Sequence, residues 1–471
     1  MVDRIVPAHR RFAPMKSEQL KIKKEDDELK RIVFLIIASL LVIGLVLPST
    51  VAGADVPIKV LVIGPMNDIQ GDHTLWGAQL ANTKIGTIHG PSSTDYTFNV
   101  IEWDTDEIAN PTTAGDKLFT GLNTTGAKII IGGFRTEAVV TEIPKAMAAQ
   151  ALFFITGAAT YSLLQNAAYA YDAGGKYLFR GTPINDVFLL NNAFQMLAMV
   201  VQEIKTAGVT NVKVAIFAES LTWADTIVGT ASALIPTALN CTLGPVKRVS
   251  DTAPPDIVIP ALTDIKNAGC HAIFTVMSGP VGADFSQQRG ALDIPAIPVG
   301  INVAIQTPGA WDGTLGNVAW EVTMGTWTEG VEQTGLTATF LSDFKTAYGT
   351  LPIYNAASYD VLTTLSKAVA ACGNDINAII GWLENPANAQ TITSGKAQYY
   401  PKWDGKTVGW WKSAGKYLYA LNSDQYNALY STLGYSVPYG TNFTMPPYTT
   451  HDLVYGPGYV TGIAFQWQPV T

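Results

Sequence analysis

Short apolar runs that stop at glycine, each followed by a stretch of helical character, recur from residue 57 onward, and this alternation most restricts how the chain can fold. Ile58-Lys-Val-Leu-Val-Ile63 and residues 98–103, 128–131 and 152–155 read as strands, with helices expected at about 75–85, 114–122 and 136–149. Strands that alternate with helices form a parallel sheet with helices on both faces. The rhythm then restarts. A long helix at about 186–207 precedes strands at 212–217, 247–250, 272–276 and 297–299. Helices are expected after Thr222 and at 260–268, with Pro260 in a first helical position, and again at 338–348 and 356–371. The expected fold class is therefore α/β, with two doubly wound parallel-sheet lobes. From about Thr391, Trp and Tyr cluster among Gly and Pro, which suggests a β-rich or irregular tail ending in a strand at 462–466.

A chain of 471 residues is too long for one ordinary core and suits two lobes plus an appendage. At 48% hydrophobic and 14% charged residues it should fold rather than stay disordered. Its net charge of −8 excludes a basic nucleic-acid footprint, so no nucleic-acid partner is expected. The three cysteines, Cys241, Cys270 and Cys372, form no disulfide framework and no metal spacing; one bridge, Cys241 with Cys270, is conceivable. No cofactor or metal is expected.

Residues 1–31 carry nine Lys or Arg. An uncharged apolar run follows at 32–47, and then small residues up to Ala54. Together they describe a secretory signal, or a membrane anchor if 32–54 is uncleaved. Either way Asp55 onward lies outside the cytoplasm. The Asn-x-Thr patterns at Asn123, Asn240 and Asn442 suit an exported chain.

In an open parallel sheet, ligands sit beyond the carboxyl ends of the strands. The loops there hold the candidate ligand-binding residues: Gln70 and Trp76 after the first strand, Arg135 and Thr136 after the third, Ala158, Ala159 and Thr160 after the fourth. The second unit contributes Trp223, Ser278 and Asn302. Arg135 has the fork geometry to clamp a carboxylate, or else is a solvated surface residue or pairs with Glu137. Trp223 suits an aromatic wall or core packing. Thr160 is a hydroxyl donor or a helix cap. No catalytic motif is present: GxSxG, HExxH, Walker A and GxGxxG are all missing, and His73 beside Asp72 reads as a surface pair.

Several stretches carry a resemblance: Val60-Leu-Val-Ile-Gly-Pro65 with Trp76-Gly-Ala78, Ile129-Ile-Ile-Gly-Gly133, Phe154-Ile-Thr-Gly-Ala-Ala-Thr160, Tyr177-Leu-Phe-Arg-Gly-Thr-Pro183, Tyr359-Asp360, and His451-Asp-Leu-Val-Tyr-Gly-Pro-Gly-Tyr459 through Gln466-Trp-Gln468. In order and spacing they resemble the Leu/Ile/Val-binding family of ABC-transporter solute-binding proteins, of type I periplasmic-binding fold. The resemblance implies lobe 1 at 55–180 plus about 324–400, lobe 2 at 181–323 plus part of 401–471, and three hinge strands near Thr182, Thr323 and the C-terminal tail. It also implies that loops 133–136 and 158–160 bind a carboxylate, and that Trp223, Ser278 and Asn302 close over it. Asn302 stands where amino-acid binders tend to place an acid. The expected activity is capture of a branched-chain amino acid, amide or small carboxylate for a membrane permease. A tethered sensory ectodomain and an extracellular hydrolase are the alternatives.

Overall fold

The computed structural model describes residues 55–164, 167–169, 171–182, 185–399, 411–413, 416–418, 451–453, 459–460 and 463–468. The basic segment, the apolar run and most of the aromatic stretch at 399–450 lie outside them.

The first unit runs β1 (Val56–Gly64), α1 (Ile69–Ile85), β2 (Ile88–His89), β3 (Asp95–Asp104), α2 (Ala114–Thr125), β4 (Ile129–Gly132), α3 (Thr136–Ala148), β5 (Leu152–Ile155) and β6 (Leu178–Arg180). The second runs α4 (Asp186–Thr206), β7 (Lys213–Glu219), α5 (Thr222–Ala238), β8 (Thr242–Val249), α6 (Pro255–Asn267), β9 (Ala272–Met277), α7 (Val281–Ala291), β10 (Ile297–Asn302), the single turn α8 (Ala310–Gly313) and β11 (Val322–Gly325). The chain continues through α9 (Thr337–Tyr348), α10 (Ser358–Cys372), α11 (Ile376–Glu384), the hairpins β12–β13 (Gln390–Ile392, Gly395–Ala397) and β14–β15 (Trp411–Ser413, Lys416–Leu418), and ends in β16 (Ile463–Gln466).

The first sheet has the order β2-β3-β1-β4-β5-β6, the second β16-β11-β10-β9-β7-β8. Only the edge pairs β2–β3 and β11–β16 are antiparallel within them. Set aside those edges and each sheet shows the same doubly wound order, with the first strand between the second and third. Alternation along the strands explains the layering. Val60 and Val62 of β1 pack with α1, α10 and α11, whereas Leu61 and Ile63 pack with α2 and α3 on the opposite face. In β7, Val214, Ile216 and Ala218 face α4 and α5, whereas Ala215 and Phe217 face α6 and α7.

Three segments pass between the sheets: β6 to α4, β11 to α9, and the C-terminal tail, where Leu453 and Val460 pack with the first sheet and β16 joins the second. Arg180 ties the first and third together. Its fully buried guanidinium donates from Nε to Asp452 Oδ1 at 2.8 Å. It also donates to the carbonyls of Ala158 (2.8 Å) and Thr160 (3.2 Å). Asn185, the N-cap of α4, donates to the other oxygen of Asp452 at 3.0 Å.

Three expectations change. Helix α6 starts at Pro255, which takes the first helical position, and Pro260 lies inside the helix. All three cysteines are free. Cys241 and Cys270 lead into β8 and β9, which flank β7, so they sit roughly two strand spacings, about 9–10 Å, apart, beyond disulfide reach. His73 is no surface residue: it is 1% exposed, and its Nδ1 accepts from the Ile353 amide at 2.9 Å. Burial lowers its pKa to about 4, so it stays a neutral acceptor rather than half of a dyad with Asp72.

Candidate functional site: an interlobe cavity

In each sheet the winding direction reverses beside the first strand, and the loops that leave the carboxyl ends there diverge into a crevice. The two crevices face each other. Between them is a cavity of about 550 Å³, mouth included. Its apolar walls come from both sheets: Phe134 from the first, Trp223, Ile301, Val303 and Met324 from the second, with Tyr354 beside them. Thr136, Thr182, Ser278, Gln306 and Thr326 supply the polar groups. No lining residue is Asp, Glu, Lys, Arg or His.

Of the residues expected from sequence, Thr136, Ala159, Trp223 and Ser278 line this cavity. Thr136 opens α3, where the first backbone N–H groups lack intrahelical partners, and its Oγ1 lies 2.6 Å from Thr160 Oγ1. Ala158 is buried behind the wall with its carbonyl on Arg180. In a trans peptide the N–H points opposite to the C=O, so this bond turns the Ala159 amide away from Arg180. This corner thus gathers a hydroxyl pair, of which one O–H remains to donate, the Ala159 peptide and a positive helix end, a setting for a carboxylate or carbonyl oxygen.

The other expected residues have different partners. Arg135 does not line the cavity: it donates to Ile108 O at 2.9 Å and forms an ion pair with Asp251 of the opposite lobe, both side chains being nearly buried. Nor does it pair with Glu137. That carboxylate accepts from Thr222 N (2.8 Å) and Thr222 Oγ1 (2.5 Å), and so caps the N-terminus of α5 from across the cleft. Gln70 donates to Ser278 O at 2.9 Å, a third polar bond between the lobes. Trp76 stacks on Tyr348, with centroids 4.9 Å apart, inside the cluster of α1 and α9. Asn302 is fully buried and bonds Glu321 (2.7 Å), Gly282 O (3.1 Å) and Ser286 (3.2 Å).

Buried acids hold the site from behind. Glu219 accepts from the Ser278 amide (2.9 Å) and the Gly279 amide (3.0 Å), and also from the Ser278 hydroxyl and the Trp223 indole. Burial raises its pKa, against those donors. Glu107 accepts from the Phe134 and Arg135 amides at 2.6 and 2.8 Å and so shapes loop 133–136. Burial pushes Glu107 up to about 7, and burial with the Glu107 charge pushes Glu142 well above the carboxylate range. A raised folded-state pKa means that the folded chain keeps protons which the unfolded chain releases, so this pair's contribution to stability falls as pH rises from about 5 to about 7. A Glu142→Gln protein should show a flatter fall of unfolding temperature over that range than the wild type, measured by calorimetry.

Sequence reasoning did not single out Gln306, Thr326 or Tyr354. Gln306 follows Asn302 by one short turn, and Tyr354 lies in the 3-10 turn before α10. No local pattern marks either.

No protein-family model and no curated protein matches this chain. Solved structures do. The branched-chain amino acid transporter substrate-binding protein LivJ from Streptococcus pneumoniae, in complex with isoleucine, superposes with TM-score 0.56 at 17% identity, over 69% of this chain and 87% of that one. A solute-binding protein of an ABC transporter from Rhodopseudomonas palustris, in complex with benzoate, gives 0.59 at 13% identity, over 78% and 95%. The leucine-binding protein LivK from Thermotoga maritima gives 0.56 at 17% identity, over 77% and 97%. The chain therefore has the fold of the ABC-transporter substrate-binding proteins. That fold is the type I periplasmic-binding fold, two α/β lobes joined by three crossing segments.

Proposed function

We propose that this protein is an extracellular solute-binding protein of an ABC transporter, one that closes its two lobes on a small solute and presents it to a membrane permease. The apolar interlobe cavity, with its hydroxyl and amide corner at Thr136 and Ala159, carries this reading. The apolar run at 32–47, with the small residues that follow it, supports export. A binding role needs no catalytic constellation: of the two described histidines beside a carboxylate in sequence, His73 is a buried neutral acceptor, and His451 is buried with its ring nitrogens on Leu178 O and Glu384.

The solute we favour is a small carboxylate or amide with an apolar body. A cavity lined by no acid offers an α-ammonium no counter-ion, and Glu219 is already spent on four donors behind the wall. Branched-chain amino acids thus rank below acids without an amino group. The isoleucine of one similar structure and the benzoate of another mark the two ends of that range.

Thermal unfolding against amino acids, amides, aliphatic and aromatic carboxylates and sugars tests this. A solute at one hundred times its dissociation constant stabilises the folded state by about 2.7 kcal/mol. A shift confined to sugars or basic amino acids would contradict the proposal. Thr136→Val keeps the shape and removes the hydroxyl, and should weaken a carboxylate by about tenfold, a matched amide by less.

A further inference from the structure

The part of the cavity wall that the second lobe supplies has a polarity of its own. Gln306 follows β10, is 9% exposed, and lines the cavity beside Met324, Gly325 and Thr326. Its Nε2 donates to Met324 O at 2.7 Å, which fixes the amide and leaves Oε1 as the acceptor. That Oε1 accepts no hydrogen bond from the described residues, and Thr326 Oγ1, in a residue 2% exposed, has no partner among them either. Position 325 is a glycine beside this amide: a Cβ there would lie 3.7 Å from Oε1, in ordinary contact with it.

A buried acceptor left without a donor costs about 1–3 kcal/mol, which a solute can recover only by bringing an O–H or N–H group to it. The two lobes' walls then ask for opposite chemistry. The wall from the first lobe, with Thr136, offers a helix N-terminus and a hydroxyl, whereas the wall from the second lobe, with Gln306, offers an acceptor. We propose that Gln306 determines specificity by reading a hydrogen-bond donor on the part of the solute that faces the second lobe, so that the site selects apolar acids bearing a hydroxyl or N–H group over their plain hydrocarbon analogues. This rests on the solute-binding reading above and names the substrate class within it. The selection follows a general asymmetry. A site built to hydrogen-bond a substrate hydroxyl rejects the analogue that lacks it far more strongly than an apolar pocket rejects one that adds it.

The test is titration calorimetry of the full chain with benzoate, 3-hydroxybenzoate, 4-hydroxybenzoate and 4-methoxybenzoate, and with pentanoate and 5-hydroxypentanoate. The wild type should bind at least one hydroxylated acid about tenfold or more tighter than its plain partner, and the methoxy compound, which keeps the size and loses the donor, no tighter than benzoate. Gln306→Met should compress the preference of the hydroxylated acid over its plain partner to about threefold or less. Equal binding of plain and hydroxylated acids by the wild type overturns the inference and leaves the carboxylate reading in place. So does a preference that survives intact in a folded Gln306→Met protein. Binding of none of these acids by the folded wild type overturns both.

Discussion

An Arg135→Ala protein is expected to bind its solute about 10- to 100-fold more weakly, while its solute-free form unfolds at nearly the wild-type temperature. The reason is where the Arg135 partner sits. Arg135 precedes α3 on the first lobe, and Asp251 follows β8 on the second. Both are nearly buried when the lobes meet. Removal of the guanidinium leaves the Asp251 carboxylate buried and unpaired, a heavy penalty in a closed cleft. An open cleft has no such penalty, because water reaches the carboxylate. The cost therefore falls on closure, and a solute that must close the lobes to bind inherits it. A carboxylate clamp and an interlobe latch make different predictions here. A clamp at Arg135 would discriminate against neutral solutes and would be indifferent to Asp251. The latch weakens every solute alike, and Asp251→Asn reproduces much of the effect. In the double variant the second change costs far less than it does alone, and calorimetric titration of all four proteins reads the coupling.

Arg180→Met should act on the fold itself. Its guanidinium is fully buried on Asp452 and on the carbonyls of Ala158 and Thr160, within the segments that cross between lobes. A methionine fills the space but leaves a buried carboxylate, itself bound to Asn185, without its cation. The expected loss is about 3–5 kcal/mol. At about 2–4 °C per kcal/mol for a lobe of this size, the unfolding midpoint drops by roughly 10 °C. Solute affinity falls as well, because Arg180 no longer holds the Ala158 and Thr160 carbonyls on either side of Ala159, which lines the cavity. Scanning calorimetry separates the two variants: Arg180→Met lowers the midpoint without solute, and Arg135→Ala does not.

The contrast also shows what a single sequence conveys. The central strands were legible because they are apolar on both faces; β5 matches its apolar run residue for residue. Edge strand β8 runs Thr242–Val249 with exposed and half-buried residues throughout most of its length, so only its last residues stood out. Helix α7 went unread because glycines and polar residues flatten its pattern. Gly282 is needed there: a Cβ would lie 2.0 Å from Asn302 Oδ1. In the site, the loops were legible from the strands they follow, and Thr136, Ala159, Trp223 and Ser278 came with them. Which side chains turn inward was not. Arg135 looks like a ligand clamp until Asp251, distant in sequence and in the other lobe, is brought against it. Gln306 carries no local signal. Its role comes from the carbonyl of Met324 on a neighbouring strand, which holds its amide nitrogen.

The central claim is that the two lobes close around a solute. The most direct measurement is the distance between a fluorophore pair, one on each lobe, as a solute that shifts the unfolding temperature is added. The account predicts a saturable shortening that follows the calorimetric binding curve and needs more solute in the Arg135→Ala protein. A distance unchanged at saturating solute, in a protein that demonstrably binds it, would contradict capture by closure.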